Sequence, residues 1–367
     1  MTRLLLLLLL APAFAQDAPP AEADAVDPLS DDEVVLTDRE PVAAPVFVPT
    51  WTPEIPVSEV LFALGEAKPD HWREATPELV RAGQELFETG RTRGPDGKKV
   101  KKTSREFECS DCHNAVLEDP DLRASDAAAR LDHAVANDLL VRPGTTMYGT
   151  VDRTSWFNDD YVVKYGDLVK PANEKLVEAL QLCSVECSQG RALTDWEVDA
   201  FLAYFWSIGL IWSDLPTDGI SLAEAEQASQ GDDAAREAAR LAVREKFLAE
   251  SPATFGKLPA DHAQDGAGYG LTGDAERGGQ LYKAACLSCH GKGGTSFYRL
   301  ADKRGRYAEL RRNQHKDDKW SYWVSIREGT KPQAGQYMPL WTEERLSDQQ
   351  LEDLRAWIDQ NSAKKKK

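Results

Sequence analysis

The chain has 367 residues, a formal net charge of −17 at pH 7 and 42% hydrophobic residues. This length exceeds that of one ordinary domain and favours two small domains with linkers. The acidic charge argues against nucleic acid as a partner and favours a neutral or basic protein partner.

The first fifteen residues are typical of an export signal. Arg3 is followed by an unbroken leucine run, Leu4–Leu10, and then by Ala13-Phe14-Ala15, which suits a small-residue cleavage site. The apolar run is far shorter than the roughly 20 residues that span a bilayer, and no later stretch is apolar enough. We therefore predict a signal peptide of bacterial type at residues 1–15, a periplasmic or otherwise extracytoplasmic location, and no transmembrane segment in the mature chain.

Residues 16–58 are rich in Ala, Pro, Asp and Glu and lack helical or strand periodicity. We interpret this segment as a disordered acidic tether between the signal peptide and the first domain. Its prolines favour an extended chain.

A diverged internal repeat follows the tether. Each copy begins with a helix whose apolar residues recur at helical spacing, and Gly83-Gln-Glu-Leu86-Phe87 aligns with Gly278-Gly-Gln-Leu281-Tyr282. Each copy also ends with a second helix. The predicted N-caps of these four helices are Thr76 and Thr194 in the first copy and Asp274 and Ser347 in the second.

Two Cys-x-x-Cys-His pentapeptides carry the predicted chemistry, namely Cys109-Ser-Asp-Cys112-His113 and Cys286-Leu-Ser-Cys289-His290. Two thiols at this spacing can add to the two vinyl groups on one edge of a porphyrin, and the next residue places an imidazole under the iron. The alternatives are a redox-active cysteine pair, which needs a preceding strand, and half of a zinc site, which needs another ligand pair. We predict two covalently bound haem c groups, with the cysteines as anchors and His113 and His290 as iron ligands.

A helix, a haem motif, a loop and a capped terminal helix make up each copy, and this order resembles a class I cytochrome c domain. The resemblance covers about residues 59–212 and 271–360 and implies a mainly α fold with two cytochrome c domains. In that family the first and last helices cross, and Gly83 and Gly278 would let them approach closely.

The segments outside the two predicted domains have simple compositions. Residues 213–270 are predicted to be a connector that is partly helical, because Leu222 to Glu250 is rich in Ala, Glu and Arg. Residues 361–367 are predicted to be a basic tail.

Met338 is the predicted distal ligand of the second haem. It stands before Pro339, 48 residues after His290 and nine before the Ser347 cap. This segment resembles the methionine-proline loop of class I cytochromes, and a thioether ligand raises the potential of a haem. Tyr337, Trp341 and Trp323 are predicted to line the pocket.

The first haem has several candidate distal ligands. Met147 is chemically suited but lies 34 residues after His113 and 47 before Thr194. The position equivalent to Met338 is bracketed by Cys183, eleven before Thr194, and Cys187, seven before it. A disulfide between the two cysteines is an alternative. On one regular helix their Cβ atoms would stand about 5–6 Å apart, beyond the roughly 3.8 Å of a disulfide, although an uncoiled turn would remove that objection.

Three short segments, Tyr161–Gly166, Leu176–Cys183 and Cys187–Leu193, resemble one region of thiosulfate dehydrogenases and of the di-haem subunit of the sulfur-oxidising complex. In that family a cysteine at the end of such a helix is the axial ligand of the catalytic first haem. The resemblance therefore implies Cys183 as the distal ligand, with Met147 as the alternative. A thiolate ligand would give this haem a lower potential than the Met338 haem. The chain departs from that family in its long insertions and its added Cys187.

Two functions fit these features. The first is a carrier that passes single electrons between other redox proteins outside the cytoplasm, and this is the function we expect. The alternative is an oxidoreductase that acts on a small sulfur anion at the first haem.

Overall fold

The structure is a computed structural model that describes residues 49–260, 262, 267–296, 298–300, 304–318, 320–330 and 338–362. The predicted signal peptide, most of the predicted tether, most of the predicted tail and Tyr337 lie outside these residues. All described residues belong to one unit, Phe47–Lys367.

The described residues form helices and no strands; isolated bridges join Pro56 to Ile211 and Arg93 to Lys99. The mainly α fold is therefore confirmed. Numbered in chain order, the α-helices are α1 Val57–Ala63, α2 Pro77–Thr89, α3 Cys109–Cys112, α4 Ala127–Ala136, α5 Asp159–Tyr165, α6 Lys170–Glu174, α7 Leu176–Leu182, α8 Asp195–Ser207, α9 Leu222–Ser229, α10 Asp233–Arg244, α11 Ala275–Leu281, α12 Leu287–His290, α13 Arg304–Asn313, α14 Tyr322–Arg327 and α15 Asp348–Ser362. Turns of π-helix cover Cys183–Cys187 and Tyr282–Cys286, and turns of 3₁₀-helix cover Thr150–Asp152, Gly166–Leu168 and Trp212–Asp214.

The four predicted caps are confirmed. The Thr76 hydroxyl accepts a hydrogen bond from the Leu79 amide at 3.4 Å, and the Asp274 carboxylate caps α11. Thr194 forms a capping box at the start of α8. Ser347 forms the same arrangement at α15. Its hydroxyl accepts a hydrogen bond from the Gln350 amide at 3.3 Å, and Oε1 of Gln350 accepts one from the Ser347 amide at 3.1 Å.

Two helix pairs cross as the glycines predict, α2 with α8 and α11 with α15. A Cβ on Gly83 would overlap the Ala200 carbonyl and stand 2.6 Å from the Tyr204 Cβ, and one on Gly278 would overlap the Asp353 carbonyl. Backbone-to-backbone contact of this kind requires glycine at both crossings.

Three clusters of buried apolar side chains stabilise the unit. The first lies between α2, α7 and α8, and the second between α11, α13, α14 and α15. The second also includes Leu131 and Ala134 of α4, a helix that lies within the predicted first domain. The packing therefore joins the two predicted domains through α4.

The third cluster joins α1 to two helices of the predicted connector. Val57, Val60 and Leu61 of α1 pack there with Ala225 of α9 and Val243 of α10. The predicted connector is thus part of a packed core. Residues 49–58 belong to the packed unit rather than to a tether, because the buried Glu226 carboxylate accepts hydrogen bonds from the Thr50 and Trp51 amides.

Candidate functional site

The second motif begins where a π-helical turn, Tyr282–Cys286, passes into α12. Cys286 and Cys289 are separated by one helical turn, so that both thiols lie on one side. Burial raises the pKa of Cys286 to about 12. His290 Nδ1 lies 2.7 Å from the Tyr298 carbonyl oxygen. Because a carbonyl only accepts, Nδ1 carries the proton and Nε2 keeps its lone pair for a metal.

The wall beside the second motif is aromatic. Trp323 is fully buried and Trp341 is 7% exposed. Met338 is half-buried and packs against the same cluster. Its backbone is fixed by two hydrogen bonds with Thr330, from Met338 N to the hydroxyl at 2.7 Å and from Thr330 N to the Met338 carbonyl at 3.0 Å. The structure therefore brings the predicted ligand Met338 to the cluster that contains Cys286.

The first motif forms α3, a single turn that ends at His113. His113 Nδ1 lies 2.7 Å from the Thr145 carbonyl oxygen, so that its Nε2 is also left as the ligand nitrogen. Gly144 allows the loop to approach the histidine this closely, because a Cβ at that position would overlap the His113 ring. Burial lowers the pKa of His113, which keeps the ring neutral, the form that binds iron.

A buried carboxylate supports the loop that carries Thr145. Glu118 is 3% exposed and accepts hydrogen bonds from the Thr146 amide and the Asn114 side chain, each at 3.0 Å. Arg345, which is 4% exposed and precedes α15, donates both guanidinium arms to Glu118. Burial by itself would raise the pKa of Glu118, but the charge of Arg345 outweighs it and lowers the pKa to about 2. The second half of the chain thus stabilises the histidine loop of the first.

The cysteine pair of the first half lies on the π-helical turn that follows α7. Both cysteines are free thiols, Cys183 half-buried and Cys187 exposed, and a side-chain hydrogen bond between them raises the pKa of Cys187. A negative charge on Cys187 contributes to the raised pKa values of Cys109 and Cys112, after burial, and opposes the lowering of the His113 pKa by burial. Both cysteine candidates thus lie on one turn, and Cys183 as the distal ligand stays a prediction.

Two tyrosines border the same space. Tyr161 and Tyr165 have raised pKa values, caused first by burial and also by the charge of Cys187. Phe255 meets the Tyr161 ring edge-on at 5.0 Å between centroids. Aromatic rings therefore line the neighbourhood of Cys187.

Met147 occupies a different place. Its amide donates to the Asn114 carbonyl at 2.8 Å, and its side chain packs against the cluster between α2, α7 and α8. The same cluster also contacts Cys109 of the first motif. Met147 therefore stays the alternative ligand that the sequence predicts.

Residues 273–358 match the family model described as cytochrome c oxidase, cbb3-type, subunit III. This segment contains the whole second motif and Met338. It is a cytochrome c domain. Neither a curated protein nor a solved structure matches the chain.

A cytochrome c domain carries covalently bound haem and transfers electrons, and the residues of this cytochrome fit that group. Cys286 and Cys289 are free thiols, and His290 presents Nε2. The indole nitrogen of the buried Trp323 has no hydrogen-bond partner among the described residues, which leaves a donor for a polar group inside the site. No helix in the described part of the cytochrome is long and apolar enough to cross a membrane.

Proposed function

We propose that the protein is an extracytoplasmic di-haem cytochrome c that passes single electrons between redox proteins. The observation that carries this proposal is the shared geometry of the two motifs. His113 and His290 each direct Nδ1 to a backbone carbonyl at 2.7 Å and leave Nε2 for iron. The export signal at residues 1–15 supports the location.

The proposed ligand sets differ between the halves. Cys109, Cys112 and His113 would hold the first haem, and Cys286, Cys289 and His290 the second. Met338 is the proposed distal ligand of the second haem. For the first haem the proposed distal ligand is Cys183, as the resemblance implies, with its hydrogen-bonded neighbour Cys187 on the same π-helical turn and Met147 as alternatives.

The chain's own contribution is to set the potentials and to orient the ligands. The carbonyls of Thr145 and Tyr298 fix each imidazole and increase its basicity. The neutral thioether of Met338 favours ferrous iron, whereas a thiolate favours ferric iron. The two sites would therefore have separated potentials, which suits directional electron flow.

A redox titration of the purified holoprotein, followed by visible spectroscopy, tests this proposal. We expect two reversible one-electron steps at well-separated potentials and rapid reduction by a small partner cytochrome. A single step that accounts for all the haem, or haem that extracts into acidified butanone, would contradict it.

A sulfur-compound oxidoreductase acting at the first haem is the second candidate. Cys183, Tyr161 and Tyr165 favour it, because they lie in the segments that resemble thiosulfate dehydrogenases. Steady-state assays with thiosulfate, tetrathionate and peroxide separate the candidates. Turnover of either sulfur anion at more than a trace rate would replace the carrier function, and absence of turnover supports it.

A further inference from the structure

The two Cys-x-x-Cys-His motifs touch each other, although 177 residues separate Cys112 from Cys289 in the chain. The Sγ atom of Cys289 lies 3.8 Å from the carbonyl oxygen of Asp111, which is the residue bonded to Cys112. An anchoring sulfur of one motif therefore contacts the backbone of the other.

Side chains hold this contact closed. The Asp111 carboxylate accepts a hydrogen bond from the Thr295 hydroxyl at 2.5 Å, and Thr295 follows the second motif by five residues. The same carboxylate accepts from the Glu108 amide at 2.9 Å, which fixes it at the start of α3. A hydrogen bond to a charged acceptor is stronger than one between neutral groups. Asp111 is thus a residue of the first motif whose side chain also binds Thr295, which follows the second motif.

Two further bonds run alongside. Arg142 donates to the Asp111 carbonyl at 3.0 Å, and the Val141 amide donates to the Ala284 carbonyl at 3.2 Å, just before Cys286. The segment at residues 141–142 therefore binds the first motif and the turn that precedes the second.

We propose that Asp111 and Thr295 are positioning residues for electron transfer between the two haems, which pass electrons at their thioether-bearing edges across the Asp111–Cys289 contact. This inference rests on the proposed di-haem function. Once bonded to haem, Cys289 sulfur is part of one redox group, and only the peptide of Asp111 and Cys112 separates it from the other. One electron would pass from the reduced to the oxidised haem, with no bond formed or broken and no proton moved, and a reduced redox partner would supply the first electron.

The experiment compares Thr295→Val, which removes the hydroxyl, with the matched control Thr295→Ser, which keeps it. Haem content and both potentials are measured first on the full holoprotein. The rate of electron redistribution after flash photoreduction and the circular dichroism of the Soret band are then recorded. We expect Thr295→Val to slow redistribution by roughly threefold to tenfold, because the contact is closed in a smaller fraction of molecules once this exposed hydrogen bond is lost. Potentials and haem content should stay unchanged, and Thr295→Ser should match the wild type.

The Soret band supplies a test that needs no change at Thr295. Two haems in edge contact should give a bisignate couplet in the wild type that disappears when the cysteines of either motif are replaced by serine. If two haems are bound but the wild-type spectrum equals the sum of the single-haem spectra, the contact does not exist and the inference fails. An unchanged redistribution rate in both Thr295→Val and Asp111→Ala also overturns it. A haem content of one per chain would instead contradict the di-haem function.

Discussion

In both motif regions a backbone carbonyl orients the histidine, whereas the proposed distal ligands differ. Both imidazoles direct Nδ1 to a carbonyl at 2.7 Å, yet Tyr298 lies eight residues after His290 and Thr145 lies 32 after His113. In the second half the carbonyl lies close to the histidine in sequence. In the first half it belongs to a more distant loop, which Glu118 supports, and the partner of Glu118, Arg345, comes from the second half.

The opposite sides diverge further. Met338 lies in a loop ahead of α15 and packs on an aromatic cluster, whereas Cys183 begins a π-helical turn ahead of α8. Turns of π-helix are frequent at functional sites because they redirect side chains that a regular helix would point elsewhere. In the proposed di-haem protein, the shared histidine geometry and the unequal distal groups would give one cofactor type at two potentials.

Removing either pair of anchoring cysteines should have the largest effect. Replacing Cys286 and Cys289 by serine should leave one covalent haem with a low potential, and replacing Cys109 and Cys112 should leave one with a high potential. Intact-protein mass spectrometry and a pyridine haemochrome assay measure the haem count. Two haems remaining in either variant would show that the motif does not bind haem.

Changes of the distal groups should move one potential each. Met338→Ala should lower the higher potential and Cys183→Ser should raise the lower one, each by on the order of 100 mV, because the axial ligand sets much of the haem potential. Met147→Ala should leave both potentials in place. If Cys187→Ser or Met147→Ala shifts the lower potential and Cys183→Ser does not, the residue whose replacement shifts it is the ligand.

The Glu118–Arg345 pair tests how far the first site depends on the second half. Glu118→Gln should reduce the free energy of unfolding at pH 7 by about 3–5 kcal/mol, since it leaves the buried charge of Arg345 uncompensated. The exposed Glu237→Gln is the control and should change stability by less than about 0.5 kcal/mol. Urea unfolding measures both, and equal stabilities would contradict the role of the pair.

The same pair predicts a pH dependence. The pKa of Glu118 falls from 4.5 to about 2 on folding, so its contribution is fully present above pH 4.5 and is lost as the pH falls towards 2. The stability difference between wild type and Glu118→Gln should therefore shrink between these pH values. A difference that grows on acidification would have the wrong sign.

Substitutions at the two helix crossings should lower stability to a similar extent, and by less than removal of the Glu118 charge. Gly83→Ala and Gly278→Ala should each destabilise by about 1–3 kcal/mol, because the added methyl meets backbone of the partner helix. Gly305 in α13 has no heavy atom within 4 Å of its Cβ position, so Gly305→Ala should be neutral or slightly stabilising. If only one of the two crossing variants loses stability in urea unfolding, the crossings are not equivalent.

Local chemistry accounts for what the sequence alone determined. Caps such as Thr76 and Thr194, the crossing glycines and the two Cys-x-x-Cys-His motifs depend on neighbours within a few residues or on a missing side chain, so their patterns are visible in the chain. The all-helical fold and the cytochrome c domain follow from the same signals.

Tertiary contacts decided the rest. No local sequence pattern predicts that α4 packs with the second core or that the connector packs with α1. The pairing of Arg345 with Glu118, 227 positions apart in the chain, has no local pattern either. The π-helical turn at Cys183–Cys187 was likewise not predicted, because the extra residue per turn leaves no local sequence pattern. The contact between Asp111 and Cys289 likewise arises only when the two halves meet, because packing, not sequence spacing, brings distant segments together.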